Sequence, residues 1–147
     1  MKMDLISIAI IKHLLDGRKP FKKIADELGI SENTVRARVS RLEDEGSLEI
    51  EGLVDPEAIP GHKTVIIGVK LKTLDLAKKG EEFSKLKGVV SVSVVTGRFD
   101  LMLLVLLNED FGLLEFYTEE MARLDDIQSV ETFVINKGYN MKIPYIL

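Results

Sequence analysis

The sequence predicts an α+β chain. An N-terminal three-helix, helix-turn-helix domain, winged if the residues after its third helix form a hairpin, leads into a ferredoxin-like βαββαβ domain. Three observations carry this. Three helical patterns follow one another before Glu45. The stretch "EGLVDPEAIPG" then breaks the pattern with two prolines and two glycines. Beyond it the apolar periodicity runs strand, helix, strand, strand, helix, strand. The expected division is 1–47 for the helical domain, 48–62 for a linker and 63–147 for the sheet domain.

The first helix is read from Leu5, Ile8, Ile11 and Leu15 at helical spacing, with Gly17 as its stop. Pro20 opens the second, where its missing N–H costs little. Phe21, Ile24, Ala25 and Leu28 form that helix's apolar face, and Gly29 closes it. Ser31 then has the chemistry of an N-cap. Ile30 and Val35 flank it at staple positions, and Glu32 suits the positive end of the helix dipole. Val35, Val39 and Leu42 make the buried stripe of the third helix.

In the second domain "TVIIGVKLK" is β-branched and apolar. Leu76, Phe83 and Leu86 share one face of the following helix. "VVSVSVV" alternates, and "LMLLVLL" is apolar on both faces, as a central strand must be. The second helix, 110–124, is expected to turn Leu113, Leu114, Tyr117, Met121 and Leu124 inward. The last strand is read over 127–138, and the tail "YNMKIPYIL" as an extra edge strand or an oligomer contact. Both helices cover one face of such a sheet. The apolar opposite face calls for a partner, and a two-fold dimer of sheets supplies one.

Charge bears on function. The chain has net charge −4, yet residues 18–41 hold seven basic residues against three acids. Residues 43–57 hold seven acids and no base. The basic segment coincides with the second and third helices, so an acidic chain still carries a local nucleic-acid footprint. Ser31, Asn33, Thr34, Arg36, Ala37, Arg38, Ser40 and Arg41 of the third helix, with Lys22 of the second, are the candidate contacts to double-stranded DNA. Arg38 sits at the margin of the apolar stripe. Arginines flanking such a helix reach phosphates or guanine, and the small Ala37 allows close approach.

Other classes are disfavoured. There is no cysteine, so neither disulfides nor thiolate chemistry is open to the chain. The two histidines, His13 and His62, have no partner nearby in sequence, and no phosphate-binding glycine loop, metal-ligand spacing or nucleophile motif appears. The expectation is therefore no enzyme, no metal and no cofactor. The longest apolar run, residues 101–107, is too short to span a bilayer, and no signal peptide is read. A cytoplasmic location without membrane association is expected. One glutamine and four asparagines among many Lys and Glu suit a heat-stable protein.

"DGRKPFKKIADELGISENTVRARVSRLEDEG", "VDPEAIPG" and "GVVSVSVVTGRFDLMLLV", in this order, resemble the Lrp/AsnC family of transcription regulators. The resemblance implies a sheet domain of the family's RAM type that pairs as homodimers and assembles into octamers or higher forms. It implies an effector, usually an amino acid, bound between subunits near a Gly-x-x-Asp turn. Carried over, the effector residues are Gly97, Arg98, Phe99, Asp100 and Leu101, with Asp126, Ile127 and Thr132 from a neighbouring chain. Backbone N–H groups of the turn would hold a carboxylate, and Asp100 an ammonium. Taken alone, the turn also reads as an ordinary hairpin connection. The alternative function is an amino-acid-binding oligomeric module whose helical domain docks onto protein and has no DNA role.

Overall fold

The computed structural model describes residues 3–147. The chain divides into two compact units between Glu51 and Gly52. Residues 48–62, expected as a linker, are thereby shared. Leu48 packs on the core of the helical unit, while Pro56 is buried in the sheet unit.

The helical unit holds α1 (Leu5–His13), α2 (Phe21–Leu28) and α3 (Glu32–Asp44). Asp4 caps α1 by accepting the N–H of Ser7 at 2.8 Å. Gly29 ends α2 at φ 67°, the left-handed conformation that glycine adopts without a Cβ penalty. Ile10, Ile24, Ala25, Val35 and Val39 form the core. The stripe expected on α1 is corrected. Leu5 and Leu15 are 83 % and 94 % exposed, and the inward side chains are Ser7 and Ile10. That segment is apolar nearly all round, so spacing alone could not choose its face. The optional wing is not formed either. Residues 48–53 join no strand, and Val54 pairs only with Ile143, through N–H···O bonds of 2.8 and 3.0 Å.

The sheet unit holds β1 (Lys63–Leu71), α4 (Leu76–Ser84), β2 (Val89–Val94), β3 (Leu101–Leu107), a second helical segment and β4 (Ile127–Val134). The strands are antiparallel in the order β2-β3-β1-β4, so β1 and β3 are central as expected. Val65, Ile67 and Val69 of β1 and Leu101, Leu103 and Val105 of β3 face a core closed by Phe83, Leu86, Phe111 and Phe116. On the other face Ile66, Met102 and Leu104 are only half-buried. Together with Ile135 and Met141 they line an apolar hollow of about 300 Å³. The tail is thus no edge strand: Ile143 is buried against Val54, and Tyr145 meets His62 at 3.1 Å.

The second helical segment changes its winding. It begins as α5 (Leu113–Glu115), widens to a π turn over Phe116–Glu120 and tightens to a 3-10 turn over Met121–Arg123. The N–H of Met121 bonds the carbonyl of Phe116, five residues back. In a turn that wide, residues five apart lie over one another. Phe116 and Met121 are therefore both inside, while Leu114, expected inside, is 70 % exposed. β4 ends at Val134 rather than 138.

Lys79 ties α4 to the loop before β4. The residue is 5 % exposed, and its ammonium bonds Glu82 at 2.9 Å and the carbonyl of Asp125 at 2.8 Å. Asp126 lies 3.6 Å away. The Glu82 carboxylate, joined by that of Asp126, keeps the ammonium protonated above the usual lysine range.

Candidate nucleic-acid interface and effector turn

Helix α3 is fixed at its start by Ser31, whose hydroxyl accepts the N–H of Thr34 at 3.1 Å. Val35, Val39 and Leu42 lock its inner side into the core. Asn33, Ala37, Ser40 and Arg41 then recur at i, i+4, i+7 and i+8 on the outer side, all exposed, with Arg36 beside them. Thr34 is half-buried and shares a 2.8 Å hydrogen bond with the Ser31 hydroxyl. Lys22 is exposed on α2. Arg36 is 59 % exposed, pairs with Glu32 at 2.9 Å and lies 5.4 Å from the ring centre of Phe21. An exposed i, i+4 pair of this kind contributes about 0.3–0.5 kcal/mol, so the guanidinium is free to exchange partners.

Arg38 is placed differently from its neighbours. Its guanidinium turns back to α1, where it bonds the Asp4 carboxylate and, at 3.3 Å, the hydroxyl of Ser7. The ion pair with Arg38, helped by the N–H of Ser7, holds the Asp4 carboxyl well below the usual carboxylate range. Arg38 is thus committed to joining α1 to α3.

In the sheet unit the β2–β3 connection folds over β1. The Asp100 carboxylate accepts the N–H of Leu71 at 2.8 Å and the ammonium of Lys70 at 3.2 Å. Its own N–H bonds the carbonyl of Val69. The Leu71 N–H, reinforced by the Lys70 charge, keeps the Asp100 carboxyl below its ordinary range. Two of its lone pairs are thereby occupied. Gly97 sits at φ 142° in the exposed turn. Phe99 packs over Gly68 and meets Phe133 edge-on, the ring centres 6.3 Å apart. Arg98 reaches Glu131 at 3.1 Å. Leu101 is buried and opens β3.

The remaining effector candidates separate within one chain. Ile127 stands opposite Leu71, at the same end of the sheet as Asp100. Asp126 precedes it at φ 66°, and its carbonyl accepts the N–H of Lys72 at 2.8 Å. Thr132 lies farther along β4, opposite Ile67, with its hydroxyl bonded to that of Tyr117. Gly68, Lys70, Glu131 and Phe133 were not anticipated. They meet the turn only through the β1–β4 and β1–β3 registers, which no local pattern records. The one available signal was Gly68 itself, an isolated glycine inside a strand, which marks a close approach.

Comparison with known proteins agrees with both halves. Residues 3–43 match the model of an AsnC-type helix-turn-helix domain, and residues 64–142 that of an Lrp/AsnC ligand binding domain. An uncharacterised HTH-type transcriptional regulator of Pyrococcus abyssi is 31 % identical over 137 residues, which cover 92 % of this chain and 87 % of that one. Among solved structures, AsnC of E. coli superposes with a TM-score of 0.71 at 22 % identity, covering 96 % of this chain and 97 % of its own. A transcriptional regulator of Neisseria meningitidis, solved as an L-Met complex, gives 0.71 at 20 %, covering 95 % and 94 %.

Proposed function

The chain belongs to the Lrp/AsnC family of transcription regulators, and on that premise we propose that it binds specific double-stranded DNA through α3 and adjusts its occupancy to a small effector, an amino acid, held by the sheet unit. The family is one of regulators, not of enzymes.

The observation that carries the DNA reading is the exposed row Asn33, Ala37, Ser40 and Arg41, with Arg36, on a capped helix whose other side is locked. Such a helix enters a major groove as a rigid body, its N-terminal residues at base edges. Lys22, Arg36 and Arg41 supply phosphate contacts, and Ser31, Thr34 and Arg38 fix the helix they act from. A homodimer formed through the half-buried sheet face places two such helices about 34 Å apart, one turn of DNA. Octamers or higher assemblies extend that unit.

The effector reading rests on the Gly97–Leu101 turn, with Asp126, Ile127 and Thr132 contributed by a neighbouring subunit. The Neisseria regulator with bound L-Met supports an amino acid as the ligand class. The effector acts by binding one assembly more tightly than another, since equal affinity would shift nothing. Among the described residues no helix is long and apolar enough to cross a membrane; a DNA-binding role fits a cytoplasmic location.

A fluorescence-anisotropy titration against the protein's own upstream DNA and a scrambled duplex tests the reading. Preference for the upstream DNA is expected, with a log–log salt slope of roughly −5 for about six neutralised phosphates. A change on adding pooled amino acids is expected as well. Equal failure on both duplexes at low salt would turn the helical unit into a protein-docking domain.

A further inference from the structure

The helical unit holds a cavity that recognition by α3 does not use. Lys12, His13, Asp16, Arg18, Lys19 and Lys23 surround about 500 Å³ at the corner between α1 and α2. Lys19 is anchored in the wall: its ammonium lies 2.7 Å from a Glu27 carboxylate oxygen and 2.7 Å from Nδ1 of His13. Glu27 itself stands 3.3 Å from that nitrogen. Lys12, Arg18 and Lys23 form no ion pair among the described residues. The lining carboxylate, Asp16, already accepts the N–H of Arg18 at 3.0 Å. Like charges on a convex surface would spread into water. Here four cations, Lys12, Arg18, Lys19 and Lys23, line one hollow and outnumber the two carboxylates beside them, Asp16 and Glu27, which leaves the recess net positive.

We propose that the α1–α2 corner is a binding pocket for a phosphoryl group, taken by Lys12, Arg18 and Lys23 around the anchored Lys19. Three free cations match a doubly charged anion better than a carboxylate. The arginine fork and the lysine point charges suit an oxygen-rich tetrahedral group. A backbone phosphate of DNA and a free phosphorylated small molecule share this chemistry. The site stands apart from α3, so its failure leaves the DNA reading intact.

His13 reports on the pocket, because its ring touches Lys19 and Glu27 and the residue shares the pocket lining with Lys12, Asp16, Arg18 and Lys23. The chain has one other histidine, His62, in the sheet unit. The full-length protein is followed by NMR of the two imidazoles at fixed pH while inorganic phosphate is added, with chloride of equal ionic strength as control. A saturable shift of His13 alone is expected. The Arg18→Gln, Lys23→Gln double variant should bind phosphate about tenfold more weakly, as the loss of two nearby charges requires. Its circular dichroism should be unchanged. The proposal fails if chloride moves His13 as phosphate does, if His13 is unmoved by millimolar phosphate, or if the double variant titrates like the parent. A scrambled duplex then names the occupant. Loss of the phosphate response assigns the pocket to the DNA backbone, and its persistence assigns it to a free phosphoryl compound. Arg36→Glu with Arg41→Glu should weaken DNA binding without altering the His13 titration by phosphate, which keeps the two readings separable.

Discussion

Phe99 lies over the bare α-carbon of Gly68, so closely that a methyl group built there would stand 2.6 Å from the ring. The turn that carries the effector candidates is therefore seated on a strand position that must lack a side chain. Gly68→Ala should cost about 1–3 kcal/mol by overpacking, and should lift Phe99 off β1. The three tyrosines all lie in the sheet unit and the chain has no tryptophan, so tyrosine emission during urea unfolding reports this unit alone. In a Phe99→Ala background the same substitution should be nearly neutral. An equal cost in both backgrounds would mean the strand itself, not the ring, rejects alanine.

Asp100 predicts a pH dependence. Its carboxyl titrates below the ordinary aspartate value because the folded state gives it the Leu71 N–H and the Lys70 ammonium. In acid the unfolded chain then binds the proton more readily than the folded one, so stability rises with pH. The contribution is complete above the unfolded value of about 3.9 and drains away as pH falls through the folded one. Asp100→Asn should lower the urea midpoint at pH 7, and its deficit should shrink on acidification below about pH 4. A deficit constant with pH would assign the loss to shape rather than charge.

The arginines of α3 should divide by role. Arg38 joins α1 to α3 through Asp4 and Ser7, whereas Arg36 and Arg41 stand in solvent. Arg38→Ala should lower the melting temperature of the helical unit, with an effect that fades in strong acid as Asp4 is protonated. Arg36→Ala and Arg41→Ala should leave stability within about 0.5 kcal/mol. Each should reduce the salt slope of DNA binding by about one. Differential scanning calorimetry and anisotropy measured on the same variants check this. Undiminished DNA affinity in both exposed-arginine variants would remove α3 from the interface.

Residues that act through local chemistry were legible in the sequence. The Ser31 cap, the Gly29 stop, the Val35–Val39–Leu42 stripe and the central places of β1 and β3 follow from spacing, turn residues and strand order. Three kinds of feature did not. The face of α1 was hidden because its apolar residues surround the helix. The fate of Arg38 depended on Asp4, far away in sequence. The cluster of Phe99, Phe133, Arg98 and Glu131 exists only through strand register. Residues 48–53 join no strand, so the optional wing is absent, and Val54 pairs with Ile143 of the tail instead.

The winding of the second helical segment gives the last prediction. A uniform α-helix over 110–124 would bury Leu114 with Tyr117 and Met121. The π turn rotates the chain so that Phe116 takes the inner position above Met121, both buried, while Leu114 faces water. Phe116 touches the core between Phe111 and Tyr117, with edge-on ring contacts at 6.3 and 6.1 Å. Phe116→Ala should therefore cost about 3–5 kcal/mol and Met121→Ala about 2–5 kcal/mol. Leu114→Ala should fall within about 0.5 kcal/mol of the parent. Tyrosine-detected urea unfolding of the three variants decides between the two windings, because the regular helix predicts a large loss at Leu114 and the wide turn predicts it at Phe116.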